Sequence, residues 1–288
     1  MSQVLDHARD FLWRNGRLVE RRLFEVRFES TSSGQLVDAL RGYRNSDGGF
    51  GHALEPDLCG PESQPIHSDF ALRTLDEAGV LDRALAKPLA DRFSRLAASD
   101  GRLPPILSSA LTHPHAAHWD SEGALLPSWN PTLALAGRLH AYGIQHPWLE
   151  LVTERALEAL AVRSLGDAHV LLGALVFLAN VPERARADAL FDRVVAQIEG
   201  SDWFVKETPV TRYGLTPLHF APTPISPARR VFSRECIEAH LDDLLARQQP
   251  DGGWPIFWET TGMAATCAWR GRWTVDALAA LQAYGRIR

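Results

Sequence analysis

"NSDGGFGHALEPDLCGPESQP" spans residues 45–65, and a near echo of its start, "QQPDGGWPIFWE", spans 248–259. Aligning Asp47 on Asp251 also brings Leu40 onto Leu244 and Asp38 onto Asp242. Each copy therefore reads as an amphipathic helix, a short polar turn, Asp-Gly-Gly and an aromatic. A weaker third copy is "LAASDGRLP" (96–104), and "GSDWF" (200–204) is a degenerate fourth. Self-similarity of this kind marks stacked helical units, none of which can bury its apolar face alone. The glycines fit a sharp reversal after a helix, where the chain takes positive φ and an aromatic folds back beneath it.

Outward from these turns, apolar residues recur at three- and four-residue spacing, the helical period. The pattern predicts helices over 3–14, 17–29, 33–44, 67–79, 83–97, 131–143, 148–163, 167–180, 184–199, 233–248 and 272–285. No stretch alternates cleanly over strand length. Asn130-Pro131 reads as an N-cap with proline at the first helical position, and Gly79, Gly143 and Gly200 as C-terminal glycines. The expected fold class is all-α, in one domain over 1–288. Three loops, 45–66, 100–128 and 201–232, are longer than helical bundles usually need and rich in aromatics, which marks them as ordered and functional.

Composition narrows the function. The chain has 288 residues, 45% hydrophobic and 23% charged, with net charge −5. That balance argues against nucleic-acid or anionic-membrane partners, which need clustered basic charge. The N-terminus has no secretory pattern, no apolar run is long enough to span a bilayer, and three scattered cysteines make no disulfide framework. A cytoplasmic protein is expected, with homo-oligomerisation open.

"LLARQQPDGGWP" (244–255) resembles the QW motif of the terpenoid cyclase and protein prenyltransferase superfamily, in which a Gln near the end of an outer helix precedes Asp-Gly-Gly-aromatic. "LRGYRNSDGGFG" (40–51) is a variant with Asn45 near the Gln position. The resemblance implies an α/α toroid of about 11–12 helices, with the repeated turns as clasps from outer to inner helix. Helices 67–79, 131–143, 167–180 and 272–285 are the inner candidates, around a central apolar cavity. Enzymes and non-enzymatic proteins share that fold, so it implies no single activity.

For chemistry, the loop after the first turn offers His52, Glu55 and Asp57. The Asp-x-Asp-Asp acid of class II cyclases is absent, and "LEPD" (54–57) is the nearest well-placed match; a carboxyl buried among aromatics can act as a general acid. Hydrogen bonding of Glu55 and Asp57 to loop amides is the structural alternative. "DDLLA" (242–246) fails the metal-binding pattern of class I. By resemblance to prenyltransferases, Asp57 and Cys59 are an alternative zinc pair; otherwise no cofactor is expected. "THPHAAHWDSEG" (112–123) gathers His113, His115, His118 and Asp120, and reads as a polar loop or a metal site.

Phe50, Trp119, Trp129, Tyr213, His219, Phe220, Trp258 and Trp269 are the candidate binding wall for an isoprenoid or other small apolar molecule, with ring faces able to stabilise a cation. The expectation is an acid-initiated cyclase or isomerase. A carbohydrate-active α/α barrel using paired carboxylates, and a non-catalytic ligand-binding module, stand as alternatives.

Overall fold

The computed structural model describes residues 3–287. Among them it contains twelve α-helices and no strand, only isolated bridges, so the all-α reading holds. The chain divides into two compact units, one made of residues up to 39 and from 203 onward, the other of Leu40–Asp202.

The first unit contains α1 (Gln3–Asn15), α2 (Leu18–Phe28), most of α3 (Gly34–Arg41), the short α10 (Pro217–Phe220), α11 (Arg234–Ala246) and α12 (Met263–Ala283). Helix α12 packs on α1, α2 and α11. Phe11, Leu12, Leu23, Phe24, Trp254 and Leu278 fill the core between them. Helix α12 starts well before the expected residue 272. Its apolar and polar residues are spread around its whole circumference, because neighbours approach it from several sides.

The second unit contains α4 (Pro65–Glu77), α5 (Arg83–Leu96), α6 (Trp129–Ala141), α7 (Pro147–Val162), α8 (Ala168–Asn180) and α9 (Arg184–Val195). Helices α4, α6 and α8 pack in succession as one layer, and α5, α7 and α9 as another. The pairs α4–α5, α5–α6, α6–α7 and α8–α9 bridge the layers. The α6–α8 approach is close: a Cβ at Gly137 would lie 2.6 Å from the Phe177 Cα, and Gly173 faces Ala134. Helix starts follow the expected chemistry. Asp82 accepts from the amides of Ala84 and Leu85, Asp167 from those of His169 and Val170, and Pro65 and Pro147 open α4 and α7. At α6 the cap is Ser128, whose hydroxyl accepts from Asn130 N–H at 3.2 Å, while Asn130 itself is extended. Gly79 and Gly143 lie just past their helices with positive φ, whereas Gly200 ends a 3-10 turn.

The repeated turns share one hydrogen-bond pattern. In the first, Asn45 N–H donates to Gly49 O (2.9 Å), Gly48 N–H to Asn45 O (3.1 Å), and Asp47 Oδ1 accepts from Gly49 N–H (2.9 Å). In the second, Gln249 N–H donates to Gly253 O (2.8 Å), Gly252 N–H to Gln249 O (2.8 Å), and Asp251 Oδ1 accepts from Gly253 N–H (3.1 Å). "ASDGR" repeats it, with Ala98 N–H to Arg102 O (2.9 Å) and Asp100 Oδ1 accepting from Arg102 N–H (3.1 Å). The residue after each Asp is left-handed: Gly48 at φ +86°, Gly101 at +84°, Gly252 at +93°. Each Asp is also paired with an arginine: Asp47 with Arg92, Asp100 with Arg102, Asp251 with Arg270. Each turn then buries an apolar side chain completely, respectively Phe50, Leu103 and Trp254. The Trp254 indole N–H donates to Leu244 O (2.7 Å), and Gln248 Nε2 donates to Val4 O (2.9 Å), tying the turn to α1.

The degenerate fourth copy is held differently, with Asp202 N–H donating to Gly166 O (2.7 Å) and Ala168 N–H to Asp202 O (2.9 Å). After Asp202 stands Trp203, at φ +62°, where the other three have glycine.

Candidate functional site

The loop after the first turn doubles back on itself. Gly51 leaves no room for a side chain, since a Cβ there would lie 2.1 Å from Pro61 O. His52 and Ala53 then both take φ +58°, a conformation costing an L-residue about 1–2 kcal/mol. Strain of that size persists only where the surroundings enforce it, and it clusters at functional segments.

This reversal turns "LEPDL" (54–58) inward. Glu55 and Asp57 are 5% and 1% exposed, an unusual state for carboxyl groups. Glu55 Oε2 accepts from Asp57 N–H (3.1 Å), and Glu55 N–H donates to Nδ1 of His67 (2.9 Å). His67, one turn into α4, is fully buried. Because its Nδ1 accepts, the ring is neutral with its proton on Nε2. The histidine beside the acids is thus His67. His52 is exposed and bonds Asn45 Oδ1 through Nε2 (2.9 Å). Two buried carboxyls and a neutral imidazole within one turn can hold and pass a proton, though Glu55 also serves the backbone.

The histidine loop runs alongside. Cys59 N–H donates to Pro114 O (3.0 Å) and Ala116 N–H to Asp57 O (2.9 Å), so Leu58 and His115 pair antiparallel. His115 Nε2 bonds Asp120 Oδ1 (2.8 Å) and its Nδ1 bonds His113 O (2.6 Å). The Asp120 contact, then the carbonyl, raise its pKa above the ordinary imidazole value. His113 pairs with Glu62 at 3.2 Å. Trp119 lies over the apolar cluster of Leu58, Ile106, Ala110 and Ala124. Trp129, which opens α6, has the Arg102 guanidinium 5.7 Å above its ring. Of the alternative zinc pair, Asp57 is buried and Cys59 exposed. Among the described residues no three His, Cys, Asp or Glu side chains gather as a metal site.

In the first unit the aromatics form a continuous cluster around Trp258. Its ring meets Tyr213 (5.1 Å between centroids), Trp269 (5.3 Å) and Trp273 (6.2 Å), all nearly perpendicular. His219 lies 5.2 Å from Trp273, and Trp203 lies 5.9 Å from Tyr213. Phe220 belongs to a buried group with Phe204 and, through it, Phe232. Phe50 is fully buried beneath its turn. Five of the nine tryptophans differ in the surroundings of the indole N–H. Trp148 and Trp254 are buried with their N–H groups bonded to carbonyls, whereas the buried indole nitrogens of Trp119, Trp129 and Trp273 have no hydrogen-bond partner.

No family model, curated protein or solved structure matches the chain. Two features of the candidate sites were not legible in the sequence: His67, whose one signal is its position behind a helix-opening proline, and the left-handed backbone of Trp203.

Proposed function

We propose that the protein is a small α/α toroid of the terpenoid cyclase and prenyltransferase type that binds a small apolar, isoprenoid-like molecule in the cytoplasm. The observation that carries this reading is the Trp258-centred cluster, whose perpendicular rings offer both π-faces and edges to an apolar guest. The shared bonding of the Asp-Gly-Gly turns and the two-layer packing of α4–α9 support the ring architecture.

Within the Leu40–Asp202 unit, taken by itself, the proposed proton donor is Asp57. Glu55 is the supporting carboxyl, since its Oε2 already accepts the Asp57 amide. His67 holds the turn and keeps its own ring neutral.

Tryptophan fluorescence titration with farnesol and geranylgeraniol tests the binding claim. Saturable quenching that weakens at least about tenfold in Trp258→Ala, a loss of about 1.4 kcal/mol, is expected. Affinity unchanged in that variant overturns it. Incubation followed by extraction tests turnover, which Asp57→Asn abolishes without loss of binding.

A further inference from the structure

Trp203 is the residue whose placement the fold does least to explain. It sits at φ +62° where its three sibling turns carry glycine, a backbone outlier for so bulky a side chain. Burial does not compensate, because Trp203 remains 54% exposed. The backbone around it is nevertheless firmly held. Leu215 N–H donates to Trp203 O (2.7 Å) and Val205 N–H to Leu215 O (2.9 Å). Gly214 is pressed so close that a Cβ would lie 2.8 Å from the Trp203 carbonyl. The indole is thus displayed from a rigid base, with the Tyr213 ring tilted 57° beside it. Strain maintained to expose an aromatic face points to a partner that stacks on it.

We infer that Trp203 and Tyr213, at the Trp203 edge of the aromatic cluster, form a stacking platform for a pyranose ring of a neutral glycan. The rim decides the class of partner. Lys206, Glu207, Thr208, Thr211 and Arg212 are all exposed on the segments that carry the two rings. A hydrocarbon or a lipid surface would strip water from these groups without replacing their hydrogen bonds. An ionic partner of either sign would meet a like charge, since Glu207 stands with Lys206 and Arg212. A pyranose presents C–H groups to an aromatic face and hydroxyls that both donate and accept at its edge, which suits both parts of the surface.

Isothermal titration with cellohexaose, maltohexaose and chitohexaose tests the site, using wild type, Trp203→Gly and Trp203→Asn, both of which suit the left-handed backbone. At least one hexaose binds wild type, and both variants weaken it at least about tenfold while each still unfolds cooperatively. Failure of all three sugars to bind, or equal binding by the variants, overturns the inference. So does sedimentation in which wild type self-associates and Trp203→Gly does not, because the partner would then be a second copy of the chain.

Discussion

At Trp203 a single backbone angle separates a structural turn from a displayed side chain, and its cost is measurable. Both Trp203→Ala and Trp203→Gly remove the indole, but only glycine relieves the left-handed strain. The glycine variant is therefore expected to melt about 2–4 °C above the alanine variant, corresponding to about 1 kcal/mol; equal melting temperatures would show that the angle is not strained. At the buried acids the informative substitution is His67→Phe. It leaves the Glu55 amide without its acceptor (2.9 Å) and should cost about 1–3 kcal/mol in denaturant unfolding. His67→Asn, whose Oδ1 can stand close to the position of Nδ1, should recover part of that loss. Glu55 and Asp57 were legible in the sequence because proline and glycine fix the loop that presents them. His67 was not, since its role depends on the chain returning to place the start of α4 against residue 55.

Helix existence was read well because period and capping agree: eleven of the twelve helices were anticipated. The twelfth, Pro217–Phe220, is four residues long and too short to show a period. Position 137 shows what periodicity alone cannot. Gly137 reads as a weak point in α6, yet it is where α8 comes closest. Gly137→Val should destabilise by about 1–3 kcal/mol or more, because backbone rather than a flexible side chain blocks the added volume. A thermal melt indistinguishable from wild type would mean that the two helices can separate at little cost. In the neighbouring loop, Asp120→Asn should lower the His115 pKa, followed by NMR titration of its ring. The pair's contribution to loop stability is present below the unfolded imidazole value of about 6.5 and is lost as pH rises through the raised folded value.

Across the molecule the proton balance runs the other way. His140 and His240 both have pKa values lowered by burial, and both carry their hydrogen bonds as neutral rings, His140 to Thr153 (2.7 Å) and His240 to Lys206 O (2.8 Å). In the unfolded chain each binds a proton near pH 6.5, so acid favours unfolding. Each such histidine lowers stability by up to about 1.4 kcal/mol per pH unit below that point, until its folded value is reached. With His118, also lowered by burial, three of this sign outweigh His115, so melting temperature should fall from pH 7 to 5, and less steeply in His240→Gln. A melting temperature that rises on acidification would contradict that sign.

The choice of ligand belongs to the whole molecule too, and there the sequence offered a class of residues without their grouping. Tyr213, His219, Trp258 and Trp269 were recognisable as wall candidates. That they meet around one ring, while Phe50 and Phe220 turn into the core, depends on packing between segments far apart in the chain. Native mass spectrometry of protein purified from its own host, with organic extraction and a metal scan of the same sample, tests the proposed apolar ligand most directly. The account predicts a bound, extractable apolar molecule that is absent from Trp258→Ala purified in parallel. Protein that is empty in both forms, or that carries stoichiometric zinc and no organic ligand, would contradict it.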